Sequence, residues 1–295
     1  MSARLAYRAS ATPPVVVDGR RPSRRLDLLL AIPVLLLLAA LVLVPLGRVV
    51  QLSLLDASSG ASRPFVGLDN YTSVLTSTTW WTAVGAGLAV AVSVVVIQLV
   101  LALLLATSLW HVSVLWKPAR FLALLPAGLF AVVGAEAGRA AVDGGFVASW
   151  FHLGDAGPLQ SLLGVVVGET WRTTGLVVVI LHWGLTRVPR NLLDSAAADG
   201  ASPWQRWRRV VLPSLAPVLA AALAFRALDA WRMLEGPLLV HEGAQGVTTP
   251  SVLVHETAFG ALETGAAAAA AVVLVLLTLV LAGLLLGLMK LAARR

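Results

Sequence analysis

Three pairs of opposite charge sit three residues apart inside stretches that are otherwise apolar: Glu136 with Arg139, Glu169 with Arg172, and Asp229 with Arg226 or Arg232. That spacing puts both members on one helical face, where the charges partly neutralise each other. Ionisable groups are costly in lipid and face a bundle interior or a wet cavity. A hydroxyl-rich solute needs planar donors and acceptors with aromatic faces beside them. Glu169, Arg172, Arg226, Asp229 and Arg232 would supply the former, and Trp171, Thr173, Thr174, Phe225 and Trp231 the stacking and hydroxyl contacts. Structural ion pairs that hold spans together explain the same spacing, and for Glu136 with Arg139 that is the preferred reading. The acids Glu169 and Asp229 also suit a carrier that couples solute to protons.

Other chemistries lack their residues. Cysteine is absent, which removes disulfides, thiolate nucleophiles and Cys-ligated metals. No GxxxxGK[ST] loop is present to cradle nucleotide phosphates. His241-Glu242 and His255-Glu256 do not continue to HExxH and read as solvated loop residues, while His152 and His182 stand singly and read as core or interface residues. With no cluster of carboxylates or histidines at helical spacing, a membrane-embedded enzyme is disfavoured. No catalytic residue, metal or cofactor is expected on this chain.

The elements that carry these groups are membrane spans. Of 295 residues, 58% are apolar and 13% charged, against about 25% charged in an ordinary soluble domain. Apolar runs at about 28–47, 82–107, 119–140, 161–184, 214–240 and 263–289 are each near the 20 or so residues a span needs. The third is the weakest, because Glu136 and Arg139 interrupt its end. Without period-2 alternation the runs argue against a barrel, so an all-α polytopic protein with about six transmembrane helices is expected. The first run is too long for a signal-peptide core and lacks a cleavage pattern. Residues 1–25, rich in Arg and Pro, read as a flexible tail.

Basic residues orient the spans. They crowd the N-terminal tail, the loop near 108–118, the loop 185–213 and the C-terminus, whereas the loops at 51–81, 141–160 and 241–262 hold Arg63 alone. Both termini therefore face the cytoplasm. Trp80, Trp81, Trp110, Trp116 and Trp150 lie near span ends, as an interfacial belt requires. Gly134-Ala-Glu-Ala-Gly138 and Gly283-Leu-Leu-Leu-Gly287 match the small-xxx-small packing pattern.

The most basic internal loop holds Asp194-Ser195-Ala196-Ala197-Ala198-Asp199-Gly200-Ala201-Ser202-Pro203-Trp204-Gln205-Arg206-Trp207-Arg208-Arg209-Val210-Val211-Leu212-Pro213. A short helix over 191–198 ends near Gly200, which tolerates positive φ. Asp199 or Ser202 caps a second helix from about Pro203. Trp204, Trp207 and Val211 line one face of it, Arg206, Arg208 and Arg209 the rest, and Pro213 ends the piece as the fifth span begins. Such an amphipathic element either docks in a partner's groove or lies on lipid.

This segment resembles the EAA loop of permeases from binding-protein-dependent ABC importers, EAA-x-x-DGA-x5-F-x-x-I-x-LP. Asp199, Gly200, Ala201, Leu212 and Pro213 match, Trp207 and Val210 are conservative replacements, and Asp194-Ser195-Ala196 stands in place of Glu-Ala-Ala. Phe65-Val-Gly67-Leu-Asp-Asn70-Tyr71, Glu169-Thr-Trp171-Arg172-Thr173-Thr174 and Phe225-Arg226-Ala-Leu-Asp229-Ala-Trp231-Arg232 resemble stretches of the maltose-, trehalose- and glycerol-phosphate-type first permeases, the trehalose type most. After the fifth span, His241-Glu-Gly243-Ala-Gln departs from the family's TGG-x-P-like turn.

The resemblance implies a type I ABC importer permease fold in the cell (inner) membrane and a carbohydrate as solute, a disaccharide such as trehalose among the candidates. It implies a second permease as heterodimer partner, two ATP-binding subunits and an extracytoplasmic solute-binding protein or lipoprotein, with membrane lipid around them and no nucleic acid. Docking of the ATPase would involve Asp194, Ser195, Ala196, Asp199, Gly200, Ala201, Trp204, Trp207, Arg208, Leu212 and Pro213. ATP and Mg would be held by the partner ATPase and not by this chain. Whether this chain or its partner permease holds the main solute site stays open. The chief rival, a proton-coupled secondary transporter using Glu169 or Asp229, would need neither the docking loop nor its partners.

Overall fold

The computed structural model describes residues 24–56, 64–112, 116–129, 131–143, 145–151, 157–240 and 247–293. The chain divides into two compact units, Met1–Arg48 and Val49–Arg295. What is described of the first belongs to α1 (Arg24–Ser53), whose leucines and valines between 34 and 46 are exposed. A helix apolar on every side suits lipid. Of the basic tail expected over 1–25, only Arg24 and Arg25 fall within the described residues.

The second unit runs through α2 (Asp69–Thr76), α3 (Thr78–His111), α4 (Trp116–Gly128), α5 (Ala131–Val142), α6 (Phe146–Phe151), α7 (Pro158–Leu185), α8 (Arg190–Ala198) and α9 (Pro203–Arg206). A π-helical turn over Trp207–Val211 leads into α10 (Leu212–Trp231), followed by α11 (Glu235–Val240), α12 (Pro250–His255), a second π turn (Glu256–Gly260) and α13 (Thr264–Ala293). Among the described residues no strand forms, only an isolated antiparallel bridge between Leu55 and Phe65. Among the described residues five helices are long and apolar enough to cross a membrane, or six if α4 and α5 make one span.

The core of this unit is built on α3 and α7. Val90 and Val94 meet Val165, Val166, Ala135 and Ala230, while nearer the other end Ala102 and Ala106 meet Val177, Leu181, Leu185, Leu215 and Ala222. Lipid tails are as apolar as leucine, so close packing of small residues holds such helices together. The Gly134/Gly138 pair does this. A Cβ on Gly138 would run into the Gly164 carbonyl on α7, and one on Gly168 would strike the Gly134 carbonyl on α5.

The Phe65–Tyr71 stretch ties the end of α1 to α2. Gly67 turns the chain at φ +61°. The Asn70 side-chain amide donates to the carbonyls of Ser53 and Leu55 at 2.9 and 3.0 Å, and the Tyr71 and Ser53 hydroxyls lie 2.6 Å apart.

Three expectations meet a different geometry. The third apolar run is not one straight span: α4 and α5 meet at 95°, after Pro126 inside α4 and Gly128 at its end, residues that remove a helix bond and free the backbone. The fifth run begins earlier and ends earlier, because the helix is continuous over Pro203–Trp231 and then breaks before α11. Pro213 does not stop it. The π turn already shifts the bonding, with the Leu212 amide donating to Trp207 O, so the missing proline N–H falls where the ladder is changing register. Trp80, placed by its sequence in an interfacial belt, is instead buried with Val74, Ala269, Ala270 and Val273.

Candidate functional site

The loop between α8 and α9 is an elbow made of local hydrogen bonds. Gly200, at φ +79°, donates to Ala197 O at 3.0 Å, and Ala201 donates to Ala196 O at 2.9 Å. This paired arrangement satisfies the last carbonyls of α8 and needs a left-handed residue at its centre. Ser202 then opens α9 with a reciprocal cap. Its Oγ accepts from the Gln205 amide at 3.3 Å, and its own amide donates to Gln205 Oε1 at 2.8 Å. Pro203 follows at the first helical position.

Asp194, Ser195, Asp199, Gly200, Trp204, Arg208 and Pro213 are exposed, while Ala196, Ala201, Trp207 and Leu212 are half-buried. The apolar stripe expected to meet a partner turns partly inward. Val211 is buried in the core beside α3 and α7, and Trp207 packs against that core with Leu193 and Trp110. The free face of the elbow is therefore mostly polar.

The intramembrane charges converge from two helices, α7 and α10, and a third, α3, bridges them. On α7, Arg172 Nη2 donates to Glu169 Oε2 at 3.0 Å and Oε1 at 3.2 Å. On α10, Arg226, 1% exposed, pairs with Asp229, which decides between the two arginines the spacing allowed. Gln98 of α3 joins the two helices. Arg226 Nε donates to Gln98 Oε1 at 2.6 Å, Gln98 Nε2 donates to Thr173 Oγ1 at 2.8 Å, and Thr173 Oγ1 donates to the Glu169 carbonyl at 2.6 Å. Gln98 was missed from sequence. Its signal was there, as the one side-chain amide in an apolar run.

A polar cleft of about 200 Å³ opens beside this network, lined by Glu169, Arg172, Asp229, Arg232, Met233 and Glu235. Gly236 keeps it tight, since a Cβ there would sit 3.3 Å from Glu169 Oε1. Glu169 and Asp229, the acids a proton-coupled carrier would use, are both held in ion pairs.

The aromatic candidates lie elsewhere. Trp171 lines apolar hollows with Leu101, Thr170 and, in one, Thr174. Trp231 is buried and donates to Thr278 Oγ1 at 3.0 Å, and Phe225 is half-exposed and lines no part of the cleft. Thr173 is engaged by Gln98, and Thr174 donates to the Thr170 carbonyl. Arg139 lies 3.6 Å from Glu136 and donates to the Leu239 carbonyl, a tie between α5 and α11. His182 stacks on Trp116 at 3.5 Å between ring centroids, and His255 rests on Phe259. His152, His241 and Glu242 lie outside the described residues. Among the described residues no group of His, Asp and Glu could hold a metal ion.

The family described as binding-protein-dependent transport system inner membrane component matches residues 23–291, a stretch containing both the elbow and the charge cluster. The chain belongs to that family. It is therefore a multi-pass inner-membrane transport component of a multi-part ABC importer and not an enzyme. The permease is 32% identical over 255 residues to the trehalose transport system permease protein SugA of Mycobacterium tuberculosis, covering 84% of this chain and 83% of the relative. It is 28% identical over 286 residues to the sn-glycerol-3-phosphate transport system permease protein UgpA of Shigella flexneri, covering 88% and 92%. In fold the permease matches a chain of a bacterial ABC transporter involved in import of the acidic polysaccharide alginate, with a TM-score of 0.73 at 17% identity over 90% of this chain and 95% of the other.

Proposed function

We propose that this permease forms, with a second permease, the translocation pathway of a carbohydrate importer, and that two ATP-binding subunits dock on residues 191–213. A disaccharide of the trehalose kind, delivered by an extracytoplasmic binding protein, is the solute that its relatives' names favour. ATP and Mg are held by the docked subunits. The observation that carries this reading is the unbroken helix from the elbow to the charge cluster. Pro203 and Arg226 belong to one continuous helix, so about 35 Å separates them along its axis at 1.5 Å per residue. A push on the elbow is carried along that helix toward Arg226 and Asp229. Glu169, Arg172, Asp229 and Arg232 then line the path with groups that bond hydroxyls.

Gly200→Val tests the docking. A β-branched residue at positive φ is strained by about 1–2 kcal/mol, while no neighbour lies within 4 Å to clash with it. Recovery of the ATP-binding subunit with the tagged permease from native membranes is expected to fall about tenfold, with the amount of membrane-inserted chain unchanged. Co-purification at the wild-type level would sink the docking assignment.

A further inference from the structure

An apolar trough of about 580 Å³ runs between the end of α3 and the elbow. Leu103, Leu104 and Thr107 wall one side, and Trp204, Trp207 and Val211 the other. Leu103 and Leu104 lie about two helical turns before His111, so the trough runs along roughly the last 10 Å of α3.

Arg206 and His111 also line it, and among the described residues no acidic one does. Arg206 Nε is buried without a hydrogen-bond partner. A buried guanidinium donor left open is costly, and the acceptor that suits it in planar geometry is a phosphate or carboxylate. Exposed Arg208 and Arg209 follow it on the same segment, adding attraction for the anionic cytoplasmic leaflet.

We propose that this trough holds one acidic phospholipid of the cytoplasmic leaflet. Its acyl chain lies along Leu103, Leu104 and Val211, the indoles of Trp204 and Trp207 cover the glycerol region, and its phosphate accepts from the half-buried Arg206 guanidinium. The lipid seats the elbow against α3, whatever solute the importer carries.

Native mass spectrometry of the full-length chain, titrated with phosphatidylglycerol and phosphatidylcholine, tests this. One phosphatidylglycerol is expected to bind with at least about tenfold preference over phosphatidylcholine, a gap of roughly 1.4 kcal/mol. Arg206→Gln should remove most of that preference, and Arg190→Gln, on an exposed residue outside the trough, should keep it. Equal binding of the two lipids, or an unchanged preference in Arg206→Gln, overturns the proposal. Should Arg206→Gln fail to accumulate, phosphatidylglycerol with a photoreactive acyl chain decides on the wild-type protein. Labelling within residues 103–111 or 203–211 supports the site, and labelling only elsewhere overturns it. Release of the lipid by added ATP-binding subunit would assign the trough to that subunit and also overturn it.

Discussion

The same small-xxx-small spacing occurs twice in this chain with opposite outcomes. Gly134 and Gly138 lie against Gly164 and Gly168, so close that a Cβ on Gly138 would collide with main chain. Gly283 and Gly287, on α13, have nothing within 4 Å of where a Cβ would stand. The spacing makes close approach possible. The contact exists only where a second helix offers its own glycines at matching heights, as α7 does for α5. An intramembrane polar group follows the same rule. Gln98 is useful because Arg226 and Thr173 arrive from two other helices to meet it.

The comparison is easiest to break at its packed end. Gly138→Val should prevent folded protein from accumulating, since overpacking against main chain costs above about 3 kcal/mol; detergent size-exclusion of a fluorescent fusion would read this directly. Arg226→Leu should destabilise by about 2–3 kcal/mol, below the value for a fully buried pair because Asp229 is partly exposed. It should lower the thermal midpoint and stop transport. The double variant Arg226→Leu with Asp229→Leu should regain stability, and the transport it regains separates a structural pair from a solute contact. Gln98→Leu leaves Arg226 Nε and Thr173 Oγ1 without their partner, at about 1–3 kcal/mol in thermal unfolding. Gly283→Val should shift the purified chain by less than about 0.5 kcal/mol. A large loss there would mean that α13 has a neighbour the isolated chain lacks.

Legibility from sequence followed the range of the interaction. The elbow could be read because its bonds are local: Gly200 and Ala201 close back on Ala197 and Ala196, and Ser202 and Gln205 cap each other three residues apart. The kink between α4 and α5 had its signal in Pro126 and Gly128, yet apolar length alone suggested one straight span. Pro213 was misleading as a stop, because a π turn ending two residues earlier had already altered the bonding. The inward turn of Trp207 and Val211 could not be read at all, since it depends on where α3 ends.

What the sequence determined by itself was the class of molecule: apolar runs of span length, arginines that orient them, a local elbow with its caps, and charges paired three apart. Those features rest on hydropathy and on hydrogen bonds closed within one or two turns. The tertiary structure decided that Asp229 takes Arg226, that Gln98 bridges α10 to α7 across separations of 128 and 75 residues, and that one glycine pair is packed and the other bare. Such contacts join helices distant in sequence, and their partners are set by how the whole bundle packs.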